Sequence, residues 1–240
     1  MRQDHRPYLI KKLSGQLNRL YTERFLFPHF DHVGVGARVT NPRYFDVHGP
    51  RIRLGDHIHM MATRDNQVRF SVWTDGERSG SISLGDYSII LPGARISSAC
   101  GVVLGKNCMM ASNSYITDAD WHDIYNRSSA PGGSGSVVLE DNVWLGDSVI
   151  VTKGVRIGCN SVAGAGAVVA DDVPPNVVVA GNPARVVKEL DPDRDFVTRA
   201  TLFEGAVPYE NFIDAFDREV LGENTVGRWI QSMILPGRDS

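Results

Sequence analysis

The chain reads as an all-β protein, a parallel β-helix of stacked six-residue repeats with helical extensions at both ends, on three observations. Apolar residues recur at every sixth position over long stretches. Glycine, 24 of the 240 residues, often falls directly behind them. The register is interrupted by polar, Gly- and Ser-bearing segments rather than by apolar ones.

The period is plainest from residue 137 onward. Leu139, Leu145, Val151, Ile157, Ala163 and Val169 share one phase, which then meets Pro175 and Gly181. Two residues ahead of each runs a second series, Val143, Val149, Val155, Ser161, Ala167, Val173 and Val179. A helix repeats its apolar face at 3.6 residues and a long strand alternates at 2 without a break, so a period of six fits neither. It fits a short strand with two inward side chains, then a tight turn where Gly, Asn or Asp tolerates positive φ. Upstream, Leu84, Ile90, Ile96 and Val102 form another series. After a two-residue slip, Leu104, Met110 and Ile116 follow, ending at His122. Leu54-Gly55 and Met60 mark an earlier coil, and residues 33–47 a first one. Residues 63–81 read as a hairpin-like excursion and 123–136 as a polar loop.

A solenoid has open ends that need covering. Leu9, Ile10, Leu13, Leu17, Leu20 and Tyr21 recur at helical spacing with Lys11, Lys12, Arg19 and Arg24 between them. A capping helix is preferred here over a basic helix lying on an anionic membrane. Near the C-terminus, residues 209–222 and 224–237 carry helical stripes through Phe212, Phe216, Val220, Trp229, Ile230 and Met233. The expected organisation is a helical cap over 1–30, the β-helix over 31–188 with its two loops, and a helical extension over 189–240.

A hydrophobic fraction of 42% and charged fraction of 22% describe a globular chain, and a formal charge of −3 leaves no electrostatic footprint for nucleic acid. The start lacks a signal-peptide h-region, and no long apolar run spans a membrane, so a cytoplasmic location is expected. Cys100, Cys108 and Cys159 show neither CxxC nor zinc spacing and read as reduced core or wall residues.

The segment VWLGDSVIVTKGVRIGCNSVAGAGAVVADDVPPNVVVAGNPARVV resembles, nearly hexad for hexad, the hexapeptide acyltransferases, a group that includes galactoside, maltose and nodulation-factor acetyltransferases. The likeness is close over 137–188 and looser over 33–136. It implies a left-handed coil, a homotrimer, and acetyl-CoA lying between subunits. Carried over position by position, the resemblance assigns cofactor contacts to Asp147, Ala165, Arg185 and Lys188, the last two suited to phosphates or else solvated surface cations. The small residues Gly146, Gly164 and Ala165 suit backbone contacts in the groove, and Trp144 either walls the pantetheine channel or shields the coil. One departure weakens that reading: family members often carry Thr-Lys just before the DVPP-like turn, and this chain has Ala170-Asp171.

Acyl transfer from a thioester needs a deprotonated nucleophile and a way to hold the oxyanion. Histidine is the usual base near neutral pH. Among seven histidines, His122 stands at the end of the 104, 110, 116, 122 phase at the brink of the 123–136 loop, and the resemblance points to the same residue. Asn113, Asp118, Asp120 and Asp123 are candidate acceptor contacts, with turn-capping or solvated side chains as the alternative. The expected reaction is direct transfer of acetyl to a saccharide or nucleotide-sugar oxygen or nitrogen, since no cysteine suggests an acyl-enzyme. No metal is expected. A γ-type carbonic anhydrase would draw on His57, His59 and His122, but Thr117 and Arg127 stand where its paired histidines belong. A non-catalytic β-helix scaffold is the other alternative, with Ala170-Asp171 as its support.

Overall fold

The computed structural model describes residues 4–74, 79–128, 130, 132–191, 193–205 and 209–235. Contacts divide the chain into two units, Thr22–Arg199 and the pairing of Met1–Tyr21 with Ala200–Ser240.

Thr22–Arg199 is a left-handed parallel β-helix with three flat faces. Face A stacks six strands: His32–Val33, Ile52–Leu54, Ile82–Leu84, Val102–Leu104, Val137–Leu139 and Arg156–Ile157. Face B stacks eight, from Arg38–Thr40 through His59–Met61, Ile89–Ile90, Met109–Met110, Trp144–Leu145 and Val162–Ala163 to Val177–Ala180 and the antiparallel Arg185–Glu189. Face C stacks six: Phe45–His48, Val68–Val72, Arg95–Ser98, Tyr115–Thr117, Ile150–Val151 and Val168–Val169. The chain visits A, B and C in turn, which is why the sequence repeats every six residues and each face every third repeat.

Both hexad series point inward, the first as far as Val169 and the second to Val179, whereas Pro175 and Gly181 are exposed. Like residues stack in register, as in Leu54, Leu84, Leu104, Leu139 and Ile157 of face A, each essentially inaccessible to solvent. Ser161 is buried too, and its hydroxyl donates to the Pro174 carbonyl, so the polar member of the series is satisfied. At the corner between A and B, Asn142, Asn160 and Asn176 take φ near +60°, a region asparagine tolerates, and their side-chain amides form a ladder at 3.0 and 2.9 Å. The first end of the core is closed by Leu26 and Phe30, from the helical turns of residues 22–29 and just beyond, with Phe30 edge-on to Phe70.

Two expectations change. Residues 68–72 do not belong to the excursion, because Val68, Phe70 and Val72 alternate inward and build face C. The excursion begins only at Trp73, and its residues 75–78 lie outside the described ones, as do 129 and 131 of the second loop. His122 does not continue the inward phase: it is exposed, and the buried positions before it are Asp118 and Ala119. A chain leaving a coil at a corner no longer obeys the coil's period, which is why counting by six overran.

In the other unit, α1 (Tyr8–Tyr21) meets α2 (Tyr209–Leu221) through polar groups. The Tyr8 hydroxyl donates to Asp214 at 2.9 Å, and Lys11 and Lys12 pair with Asp217 and Asp214 at 2.7 and 3.1 Å. Asn224 donates to the Asp4 carbonyl, and Thr225 caps α3 (Val226–Ile234) by accepting from the Arg228 N–H. Leu9, Leu13, Leu17 and Leu20 are exposed. No helix among the described residues is long and apolar enough to cross a membrane.

Candidate active site

Each face meets the next at a corner, and the candidate residues sort onto two of them. The corner between B and C is built from tight turns of successive coils, which carry Asn113, then Gly146 and Asp147, then Gly164 and Ala165. Backbone bonds stitch these turns together: Gly146 N–H donates to Ala163 O at 2.8 Å, Gly166 N–H to Asp147 O at 2.7 Å, and Gly164 N–H to Val179 O at 2.8 Å. A Cβ on Gly146 would come within 2.8 Å of the Ala165 nitrogen, so the close approach requires glycine. Asn113 takes φ +58° and is exposed. Small residues leave this edge flat, and the side chains of Asp147 and Ala165 face solvent.

Beside that edge, Trp144 lies on the outer surface of face B, 46% exposed, in one cross-strand column with Val162, Val178 and Lys188. Lys188 is exposed, whereas Arg185 donates to the Asp171 carboxylate at 3.0 Å. The residue that departs from the family pattern is therefore the one that engages an expected phosphate contact. Both partners are more than 60% exposed, so the pair contributes at most about 1 kcal/mol and is readily given up to a stronger anion.

His122 belongs to the corner between C and A, on the opposite edge of face C. Its loop is anchored by Asp118, a fully buried carboxylate that accepts from Ser98 Oγ at 2.7 Å and from the N–H groups of Ala99, Cys100 and Gly101 at 2.7, 2.9 and 2.5 Å. Of its two readings, this geometry favours the turn-capping one. Asp120 forms an ion pair with Lys153 at 2.5 Å, and its backbone bonds Gly132 and Gly133 across the loop. Asp123 accepts from the N–H groups of Asn126 and Tyr125, which hold its carboxylate below the usual range. His122 itself is exposed on this frame.

The two excursions leave the same corner. Trp73 and the residues after it depart from one coil and the His122 loop from another, with the Ser98–Gly101 turn between them. Trp121 folds back so that its indole N–H donates to Thr117 Oγ1 at 3.2 Å on the outer side of face C. Sequence reasoning passed over Trp73, Trp121 and Lys153, although Trp121 directly precedes the candidate base.

His57 and His59 lie elsewhere. His57 stacks on Tyr87 at the corner between A and B, and His59 lies on face B, pushed down to about 4 by burial and by the charges of Arg38 and Arg199. Among the described residues no group of three His, Cys, Asp or Glu side chains gathers where it would hold a metal. Cys108 is buried, which pushes its thiol up to about 12, and Cys100 is exposed.

Two segments, residues 91–118 and 136–170, match the family described as "Hexapeptide repeat of succinyl-transferase". The chain is also similar to galactoside O-acetyltransferases. It is 41% identical to that of Escherichia coli over 96 residues, covering 39% of this chain and 46% of the relative. To that of Lactococcus lactis it is 55% identical over 99 residues, covering 40% and 47%. The chain thus spans about half the length of these relatives. Over a longer stretch, 82% of this chain and 96% of the other, the fold matches an N-acyltransferase from Bacillus cereus with a TM-score of 0.53 at 17% identity.

Proposed function

We propose that the protein is an acetyl-CoA-dependent acetyltransferase that acts on a saccharide or nucleotide-sugar acceptor, with His122 as general base. The observation that carries this reading is the pairing of two edges: a stitched line of small-residue turns at one border of face C, and an exposed histidine on a braced loop at the other. His122 takes the acceptor proton, and the freed oxygen or nitrogen attacks the thioester carbonyl. Backbone N–H groups stabilise the oxyanion, and the imidazolium returns its proton to the departing thiolate. Trp144, Gly146, Asp147, Gly164 and Ala165 line the coenzyme, with Lys188 and a released Arg185 toward its phosphates. Relatives named galactoside O-acetyltransferase support the reaction class.

Because the two edges belong to opposite borders of one face, a site that uses both needs a second copy. A threefold ring meets this need, since a closed cyclic assembly presents one edge of each subunit to the other edge of the next. The homotrimer, the cytoplasmic location and a role in polysaccharide modification belong to this proposal.

A scaffold that binds coenzyme A without turnover is favoured by one observation, the Arg185–Asp171 pair. Free-thiol release from acetyl-CoA against sugars and amino-sugar nucleotides separates the two readings. The expected result is turnover with at least one acceptor and a rate at least about a hundredfold lower for His122→Ala. Coenzyme A binding with no turnover on any acceptor supports the scaffold.

A further inference from the structure

The outer surface of face C, beside the His122 loop, holds a charge arrangement that folding alone does not explain. Arg69 and Arg95 lie directly opposite each other on adjacent strands, and Arg95 lies opposite Tyr115 on the next. Like charges facing each other across a strand pair destabilise it unless something neutralises them. Among the described residues, the only carboxylate that pairs with either arginine is Asp46, reaching Arg69 at 4.0 Å with both side chains more than half exposed, and Arg69 also donates to the neutral Gln67 Oε1 at 3.4 Å. Arg95 meets no carboxylate there; its guanidinium lies 4.5 Å from the centre of the Tyr115 ring. A guanidinium over an aromatic face can still present its N–H fork to carboxylate or phosphate oxygens.

The same strand leads to the candidate base. Two residues after Tyr115 comes Thr117, which receives the Trp121 indole, and His122 follows. Trp121 is partly exposed, and an indole face accepts the C–H face of a pyranose. Ser97 lies opposite Thr117 on the neighbouring strand, a second hydroxyl on the outer surface between the arginines and the loop. One surface therefore carries two cations, an aromatic plate and the Ser97 hydroxyl beside the loop that bears His122, while the Thr117 hydroxyl is taken up by the Trp121 indole and the Ala119 carbonyl.

We infer that this surface is the acceptor platform and that it selects an anionic saccharide, with Arg95 and Arg69 contacting the anion and Trp121 the ring. The inference rests on the acyl-transfer reading for its link to His122. The anion is either a carboxylate on the sugar or a phosphate attached to it, two groups with the same demand on a guanidinium.

The test is calorimetric titration of the full chain, wild type and the Arg69→Gln, Arg95→Gln double variant, with methyl glucuronide, glucose 1-phosphate and methyl glucoside. The expected result is that at least one anionic probe binds wild type about tenfold or more tightly than the neutral probe, the advantage of charge-assisted bonds. The double variant loses that preference. Which anionic probe wins identifies the carboxylate or the phosphate. Equal binding of all three, no binding of either anionic probe, or a preference that survives in the variant overturns the inference. Coenzyme A titrated into the same samples keeps the two readings apart: its failure to bind wild type removes the acetyltransferase, whereas intact coenzyme binding without anion preference removes only the platform. Both arginines are exposed, and a melting temperature that is unchanged or raised shows that the variant folds.

Discussion

The coil and the helices use apolar periodicity in opposite ways. In the β-helix, residues at the hexad phases are buried almost to zero exposure, because each strand is covered by the coils above and below and by the two other faces. In α1 and α2 the stripes are as regular, yet Leu9, Leu13, Leu17 and Leu20, and Phe212, Phe216 and Val220, are 54% to 73% exposed, while polar side chains make the contact between the helices. A solenoid supplies its own partner to every repeat. An amphipathic helix does not, so its period reports that a face exists and leaves open what covers it.

The largest expected effect tests this contrast directly. Phe70→Ala, in the closed core against Phe30, costs about 3–5 kcal/mol in a denaturant titration, whereas Phe216→Ala on α2 stays within about 0.5 kcal/mol. Equal costs break the comparison.

Next comes pH. His59 is neutral in the fold because its titration is lowered to about 4 by burial first, then by the charges of Arg38 and Arg199. The unfolded chain binds the proton at a higher pH, near 6.5, so stability is flat above that value and falls as pH drops toward 4, by up to about 3 kcal/mol. His59→Gln flattens the slope of stability against pH between 4 and 6.5, and an unchanged slope assigns the dependence to other groups.

A smaller effect belongs to the corner of His122. Asp118→Asn leaves donors of the Ser98–Gly101 turn without a charged acceptor, at a cost of about 1.5–3 kcal/mol. Amide exchange at Ala99, Cys100 and Gly101 rises with it. The smallest is Asn160→Ala, which removes the middle rung of the asparagine ladder at a left-handed position and costs about 1 kcal/mol by thermal melting. No loss there marks the ladder as ornamental to the coil.

What was legible in the amino-acid order follows from the distance over which contacts are made. Ser98 and Asp118, one coil apart, are 20 residues apart in sequence, and strands pair with the coil next to them, so the hexad phases of Leu84, Ile90 and Ile96 write the fold directly. The small-residue edge at Gly146 and Gly164 was readable for the same reason. The corner of His122 was not, because 119–136 leaves the coil, and beyond a departure the count of six carries no direction.

By itself, then, the sequence determined the repeated strand and turn and most of the inward residues, but it missed inward Val68, Phe70 and Val72 and placed His122 inward. Tertiary structure decided that both breaks in the register share one corner, that Asp118 turns inward to brace it, that Asp171 reaches Arg185, and that Arg69 and Arg95 line up beside Trp121. Neighbouring-coil contacts are local and periodic, whereas side chains on loops and outer faces meet according to how many coils separate them and which corner they leave.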